Sequence, residues 1–171
     1  MVDAPASKRG FTLIELLVTL AVAAILLTVA VPNFQMFVMN NRMATQTNDL
    51  VTALSLARSE AVKRAANVRV CAGTSCPGTA NAWAQGWIVA DAAGTPIRVQ
   101  QALGGASTLS GGTHVASEIT FTASGRTTIP TTATDATTTL TLCPPSPAVV
   151  QGRAIQIERT GRTRFAPVAC T

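Results

Sequence analysis

Apolar positions dominate residues 11–31, a 21-residue run interrupted by three threonines and a single charge, Glu15. As a helix this run rises about 30 Å, enough to cross the apolar core of a bilayer. From Asn33 to about Ala66 the helical period continues in an amphipathic form. Phe34, Phe37, Val38, Met43, Leu50, Leu54, Ala57 and Ala61 recur at helical spacing, with Arg58, Glu60, Lys63 and Arg64 on other faces. Thr47, Asn48 and Asp49 interrupt the apolar stripe. After Asn67 the period changes to two. The segments VRVCA, GWIVAD, PIRVQ, EITFT, TTLTLC, AIQIER and RFAPV read as short strands separated by turn residues in AAGTP, ASGRTT and RTGR. The Gly/Ser/Thr-rich stretches Gly104–Thr113 and Thr127–Thr139 read as loops. One long helix followed only by strands predicts an α+β fold, a helical spine packed on antiparallel sheet.

The flanks of the apolar run give it a direction. Lys8 and Arg9 precede it, so the positive-inside rule places them in the cytoplasm and everything after Pro32 outside the cytoplasmic membrane. TVAVPNFQMF shows no small-residue cleavage site after the run, so the apolar helix is expected to be retained. A carboxylate one turn into a membrane helix is costly unless it is paired, which singles out Glu15.

These residues carry a resemblance. RGFTLIE, placed before such an apolar run, resembles the class III leader and N-methylation motif of the type IV pilin and pseudopilin superfamily. The resemblance implies that a prepilin peptidase cuts between Gly10 and Phe11 and methylates the new amine of Phe11. That amine would pair with Glu15 of a neighbouring subunit during assembly, and Pro32 would kink the helix. The implied organisation is a leader at 1–10, a transmembrane and assembly helix at 11–32, and a periplasmic globular domain at 33–171. The chain would sit in the bacterial inner membrane and then in a surface pilus, with other major and minor pilins as partners.

The remaining segments, from NDLVTALSLARSEAVKR through VRVC, GWIVAD and ITFTASGR to GRTR and a last cysteine, resemble the GspH/FimT family of minor pilins. Gly161, Arg162, Thr163 and Arg164 match the G-R-x-R motif of its DNA-binding subgroup. The motif implies sequence-independent capture of DNA for natural transformation.

The formal net charge is +5, and from Asn33 onward eleven Lys and Arg stand against six Asp and Glu, ten of the eleven being Arg. Arginine offers a planar fork for phosphate or carboxylate; a GC-rich genome would give the same bias. The arginines crowd in IERTGRTRF. Arg153 and Arg159 share a strand face with Ile155 and Ile157, Thr160-Gly161 suits a two-residue turn, and Arg162 and Arg164 emerge on one face of the return strand. Two such residues lie roughly 6.5–7 Å apart at the backbone, about the separation of successive phosphates on one DNA strand. A solvated tip, with the arginines paired to Glu158 and Asp135, or a patch for an acidic protein, fits the same pattern.

Four cysteines in an exported domain suggest two disulfides, and spacing leaves the connectivity open. The pairing expected is Cys71 with Cys76 and Cys143 with Cys170; a four-thiolate zinc site is the rival, although the spacing does not match a zinc ribbon. His114, the single histidine, sits in a Gly/Ser loop and reads as exposed. Trp83 and Trp87 read as packing residues rather than a stacking platform for bases. No catalytic triad and no phosphate-binding P-loop is visible, so neither an enzyme, a metal nor a cofactor is expected. Two function classes remain: a DNA-binding minor pilin, and a structural pseudopilin of a type II secretion system or a pilus-priming subunit without a ligand.

Overall fold

The computed structural model describes residues 11–146 and 150–170. The leader and Gly10 lie outside the described residues. Two compact units follow one another, with the boundary after Val38.

The one long helix, α1, spans Leu13–Arg64. Thr12 caps it: its Oγ1 accepts from the backbone N–H of Glu15 at 3.2 Å. A threonine followed three residues later by glutamate is a capping-box sequence, and the bond seen uses the Glu15 backbone, leaving its carboxylate without a hydrogen bond among the described residues. The part of α1 in the first unit is long and apolar enough to cross a membrane, and its apolar side chains are exposed, from Leu13 to Phe37. Helical structure continues through Pro32, and the Asn33 side chain donates to the Val29 carbonyl at 2.9 Å.

In the second unit α1 turns amphipathic. Met43, Leu50, Ala53, Leu54, Ala57 and Ala61 are buried. Phe34, Phe37 and Val38, read with this stripe in the sequence, precede the unit and are exposed. Thr47 does not interrupt the stripe: it is buried because its hydroxyl donates to the Met43 carbonyl at 2.7 Å. Gln46 is buried as well, and its amide donates to the Gly104 carbonyl at 3.0 Å. The helix ends in a Schellman arrangement, with Ala65 N–H donating to Val62 O, Ala66 N–H to Ala61 O, and Ala65 at φ 50°.

Eight strands follow: β1 Val68–Ala72, β2 Trp87–Asp91, β3 Pro96–Gln100, β4 Thr108–Gly111, β5 Glu118–Phe121, β6 Thr139–Cys143, β7 Gly152–Ile157 and β8 Thr163–Val168. They form two antiparallel four-stranded sheets, ordered β3-β2-β1-β5 and β4-β6-β7-β8. This is the α+β arrangement that the sequence pattern implied. β4 is a correction, because Gly104–Thr113 read as a loop. Thr108–Gly111 contains one apolar residue, Leu109, and becomes a strand by pairing with β6, Thr108 opposite Cys143 and Gly111 opposite Leu140. Both sheets and α1 close on one core containing Trp83, Trp87, Phe121, Leu140, Leu142, Ile155 and Ile157. Trp83 and Trp87 are both buried, and Trp83 Nε1 donates to the Val115 carbonyl at 2.9 Å, so neither presents a face to a base.

Candidate nucleic-acid interface at the β7–β8 hairpin

Strands β7 and β8 pair from Gly152 opposite Val168 to Ile157 opposite Thr163. Beyond that last pair, Glu158 N–H donates to Arg162 O and Gly161 N–H donates to Glu158 O, both at 2.9 Å. The connection is therefore a three-residue loop, Arg159 to Gly161, rather than the two-residue turn expected. Such loops place their last residue in the left-handed region, and Gly161 has φ 78°. A second constraint reserves this position for glycine: a Cβ would overlap the Gly125 carbonyl oxygen.

The tip is wedged among neighbours. Thr127 N–H donates to Arg159 O at 3.0 Å and Thr127 Oγ1 to Glu158 O at 3.2 Å, which ties the turn at 122–126 to the hairpin. From α1, Arg58 Nη1 donates to Gly161 O at 3.4 Å. This turn brings the exposed Arg126 to the same end. Neither Arg58 nor Arg126 stood out in the sequence, since each lies far along the chain from the hairpin.

The register separates the four arginines and the glycine singled out by the sequence into two groups. Arg159, Arg162 and Arg164 are exposed, and they flank or include the loop with Gly161. Arg164 lies opposite Gln156, whereas Ile155 and Ile157 on the other face pair with Phe165 and Thr163. Arg153 lies opposite Pro167 on that other face, six residues from Arg159, or about 20 Å away along the strand. The geometry does not bring Arg153 to the tip.

Charge pairing is uneven across the tip. Arg164 Nη2 lies 2.6 Å from Glu158 Oε1, with the two side chains 57% and 26% exposed. Thr160 Oγ1 adds a bond to Glu158 Oε2 at 3.2 Å. Among the described residues, Arg58, Arg126, Arg159, Arg162 and Asp135 make no ion pair. On α1, Glu60 lies 2.7 Å from Arg64 and 3.6 Å from Lys63. The Arg64 hydrogen bond, aided by Lys63, holds the Glu60 carboxyl below its ordinary range.

The cysteines pair as Cys71–Cys76 and Cys143–Cys170. All four sulfurs are thereby engaged, which is incompatible with a four-thiolate zinc site. Cys143–Cys170 joins the end of β6 to the tail after β8, at the open end of the hairpin. It lies away from the arginine tip, so it anchors the strand pair rather than the loop. His114 is exposed.

A helix of this length, packed on antiparallel sheets and preceded by this N-terminal motif, defines a type IV pilin-like protein. Residues 5–31 match the prokaryotic N-terminal methylation motif, and residues 46–161 match the family described as type II transport protein GspH. The chain belongs to the GspH family. Among solved structures it is similar to the type IV minor pilin FimU of Pseudomonas aeruginosa in two crystal forms. One match has 25% identity, a TM-score of 0.58, and covers 77% of this chain and 92% of FimU. The other has 25% identity, a TM-score of 0.55, and covers 72% and 92%. No match to a curated protein was found. The protein is thus a minor pilin or pseudopilin, a class that interacts with other pilins. The family match stops at Gly161, so Arg162 and Arg164 lie beyond it.

Proposed function

We propose that this protein is a minor type IV pilin that binds extracellular DNA, without regard to sequence, for uptake in natural transformation. One observation carries the reading: Arg162, just before the return strand, and Arg164, on it, stand exposed beside a hairpin tip pinned by Thr127 and Arg58. Their spacing of roughly 6.5–7 Å suits adjacent phosphates on one strand. The pinned loop holds the backbone of both residues in place before binding, so less conformational freedom is lost on binding. Arg159 in the loop supplies a third cation.

In the same reading, a prepilin peptidase cuts after Gly10 and methylates the Phe11 amine. Glu15 pairs with the amine of a neighbouring subunit, and the chain passes from the inner membrane into a surface pilus. The exposed apolar surface of α1 before Val38 supports burial in lipid or among other helices. The protein would act by binding and assembly, not as an enzyme, and without a cofactor.

The test is fluorescence anisotropy of labelled DNA with the full-length protein in neutral detergent, at several salt concentrations. Three phosphate contacts predict a log–log salt slope of about −2.7 and weak affinity, about micromolar. Arg162→Gln and Arg164→Gln should each weaken binding to all sequences alike and flatten the slope by about one. Equal affinity and slope in the double variant would favour the other reading, a structural pseudopilin without a ligand. The ion pair that already occupies Arg164 is the observation on that side.

A further inference from the structure

Beside the hairpin, α1 borders a groove of about 590 Å³. Its lining includes Arg58 and Lys63 from the helix and Arg162 from the hairpin, with Ser55, Ser59 and Val62 between them. Among the described residues, no carboxylate lines it. Ser55 and Ser59 are one helical turn apart, as are Arg58 and Val62, so they present neighbouring positions on one side of α1. The only polar contact of the Arg58 side chain among the described residues is the 3.4 Å bond to the Gly161 carbonyl, a neutral acceptor that leaves its charge uncompensated. Lys63 has Glu60 at 3.6 Å, but its side chain is 77% exposed and the pair is a loose one. The groove therefore concentrates positive charge in a chain that is only 12% charged.

The occupant that matches this surface is a polyanion whose charges repeat at short intervals and whose remaining surface is partly apolar. We propose that the groove is the second half of the DNA-binding surface. Arg58 and Lys63 take the phosphates that follow, along the strand, those held by Arg162 and Arg164. Ser55 and Ser59 offer hydroxyls to phosphate oxygens, and the exposed Val62 lies against a sugar face. The proposal rests on the DNA reading of the hairpin and enlarges the interface from one loop to a helix and a loop. Arg58 would serve both halves, since it pins Gly161 and faces the groove.

Salt dependence tests it with the full-length protein in neutral detergent and a labelled DNA. Two further contacts shift the expected slope from about −2.7 to about −4.5. Ser59→Glu places a negative charge in the groove, and Lys63→Gln removes a positive one. Neither residue contacts the hairpin through a hydrogen bond or ion pair among those described. Each change should weaken binding about three- to tenfold, and Lys63→Gln should flatten the slope by about one. Arg58→Gln should weaken binding at least as much, with circular dichroism as the control for folding. Wild-type affinity and slope in both Ser59→Glu and Lys63→Gln, alongside weakened Arg162→Gln, would overturn the groove and leave the hairpin reading standing. Unchanged binding in Arg162→Gln and Arg164→Gln as well would remove the DNA reading itself, and the groove with it.

Discussion

If the hairpin binds DNA as proposed, Glu158 would compete with a phosphate for Arg164, and neutralising it should tighten binding. Its Oε1 sits 2.6 Å from Arg164 Nη2, so the guanidinium must exchange a carboxylate for a phosphate. The side chains are 57% and 26% exposed, which puts the pair in the partly solvated class, worth about 0.2–1 kcal/mol. Glu158→Gln removes that competition, and with it the repulsion between a carboxylate and the incoming phosphate. A free-energy gain of that size corresponds to about 1.4- to 5-fold tighter binding. The backbone bonds that shape the loop, Glu158 N–H to Arg162 O and Gly161 N–H to Glu158 O, remain, so the fold should lose no more than about 1 kcal/mol. Anisotropy titrations of wild type, Glu158→Gln, Arg164→Gln and the double variant form a cycle. The gain from Glu158→Gln should shrink in the Arg164→Gln background, because the carboxylate then has no guanidinium to occupy. Unchanged or weaker binding by Glu158→Gln, with Arg164 still required, would refute the competition. An equal gain with and without Arg164 would mean that general repulsion, not the ion pair, is what Glu158 contributes.

Three other expectations follow from assembly, the loop and the cross-links. Glu15→Leu should still insert in the membrane and keep its helix, yet be scarce in sheared pili; normal incorporation would remove the pairing of Glu15 with the Phe11 amine. Gly161→Ala should destabilise the second unit by about 2 kcal/mol or more, because the φ of 78° is strained for alanine and the Cβ meets the Gly125 carbonyl; thermal melting within experimental error of wild type would contradict that close approach. Replacing Cys143 and Cys170 with serine should cost about 3–4 kcal/mol by the loop-closure estimate for a separation of 27 residues. In denaturant titrations that loss should appear as a lower midpoint, while DNA affinity of the still-folded protein changes less than twofold, since the bond sits at the end of the hairpin opposite the arginines.

Local patterns carried much of this fold. The unbroken apolar run, the helical stripe from Met43 to Ala61 and the alternation in β5, β6 and β7 are properties of neighbours in sequence, and side-chain burial follows them directly. The disulfide pairing that was expected is the one observed, although spacing alone did not require it. The hairpin was visible for the same reason, since Ile155, Ile157, Gly161 and the return strand lie within a few residues of one another. Its loop length was misjudged because a Gly-containing turn permits two registers, and the choice depends on the hydrogen bonds that Glu158 makes with Arg162 and Gly161.

What the chain could not disclose one segment at a time arises from contacts across long separations. Leu109 is a lone apolar residue among small polar ones, and only pairing with β6 makes its segment a strand. Gln46 and Thr47 look like breaks in an apolar face, yet both are buried, the Met43 carbonyl accepting from the Thr47 hydroxyl and the Gly104 carbonyl from the Gln46 amide nitrogen. Arg58 reaches a carbonyl 103 residues away, and the turn carrying Arg126 is fastened to the same loop. Arg153 is a near neighbour of Arg159 in sequence but lies about 20 Å from it along an extended strand. Sequence therefore determined the elements and the cationic character of the C-terminal segment, because periodicity and charge are local. Tertiary structure decided which cations share a surface, which one already holds a carboxylate, and which helix joins them, because a rigid strand pair and a packed helix set distances that no spacing along the chain encodes.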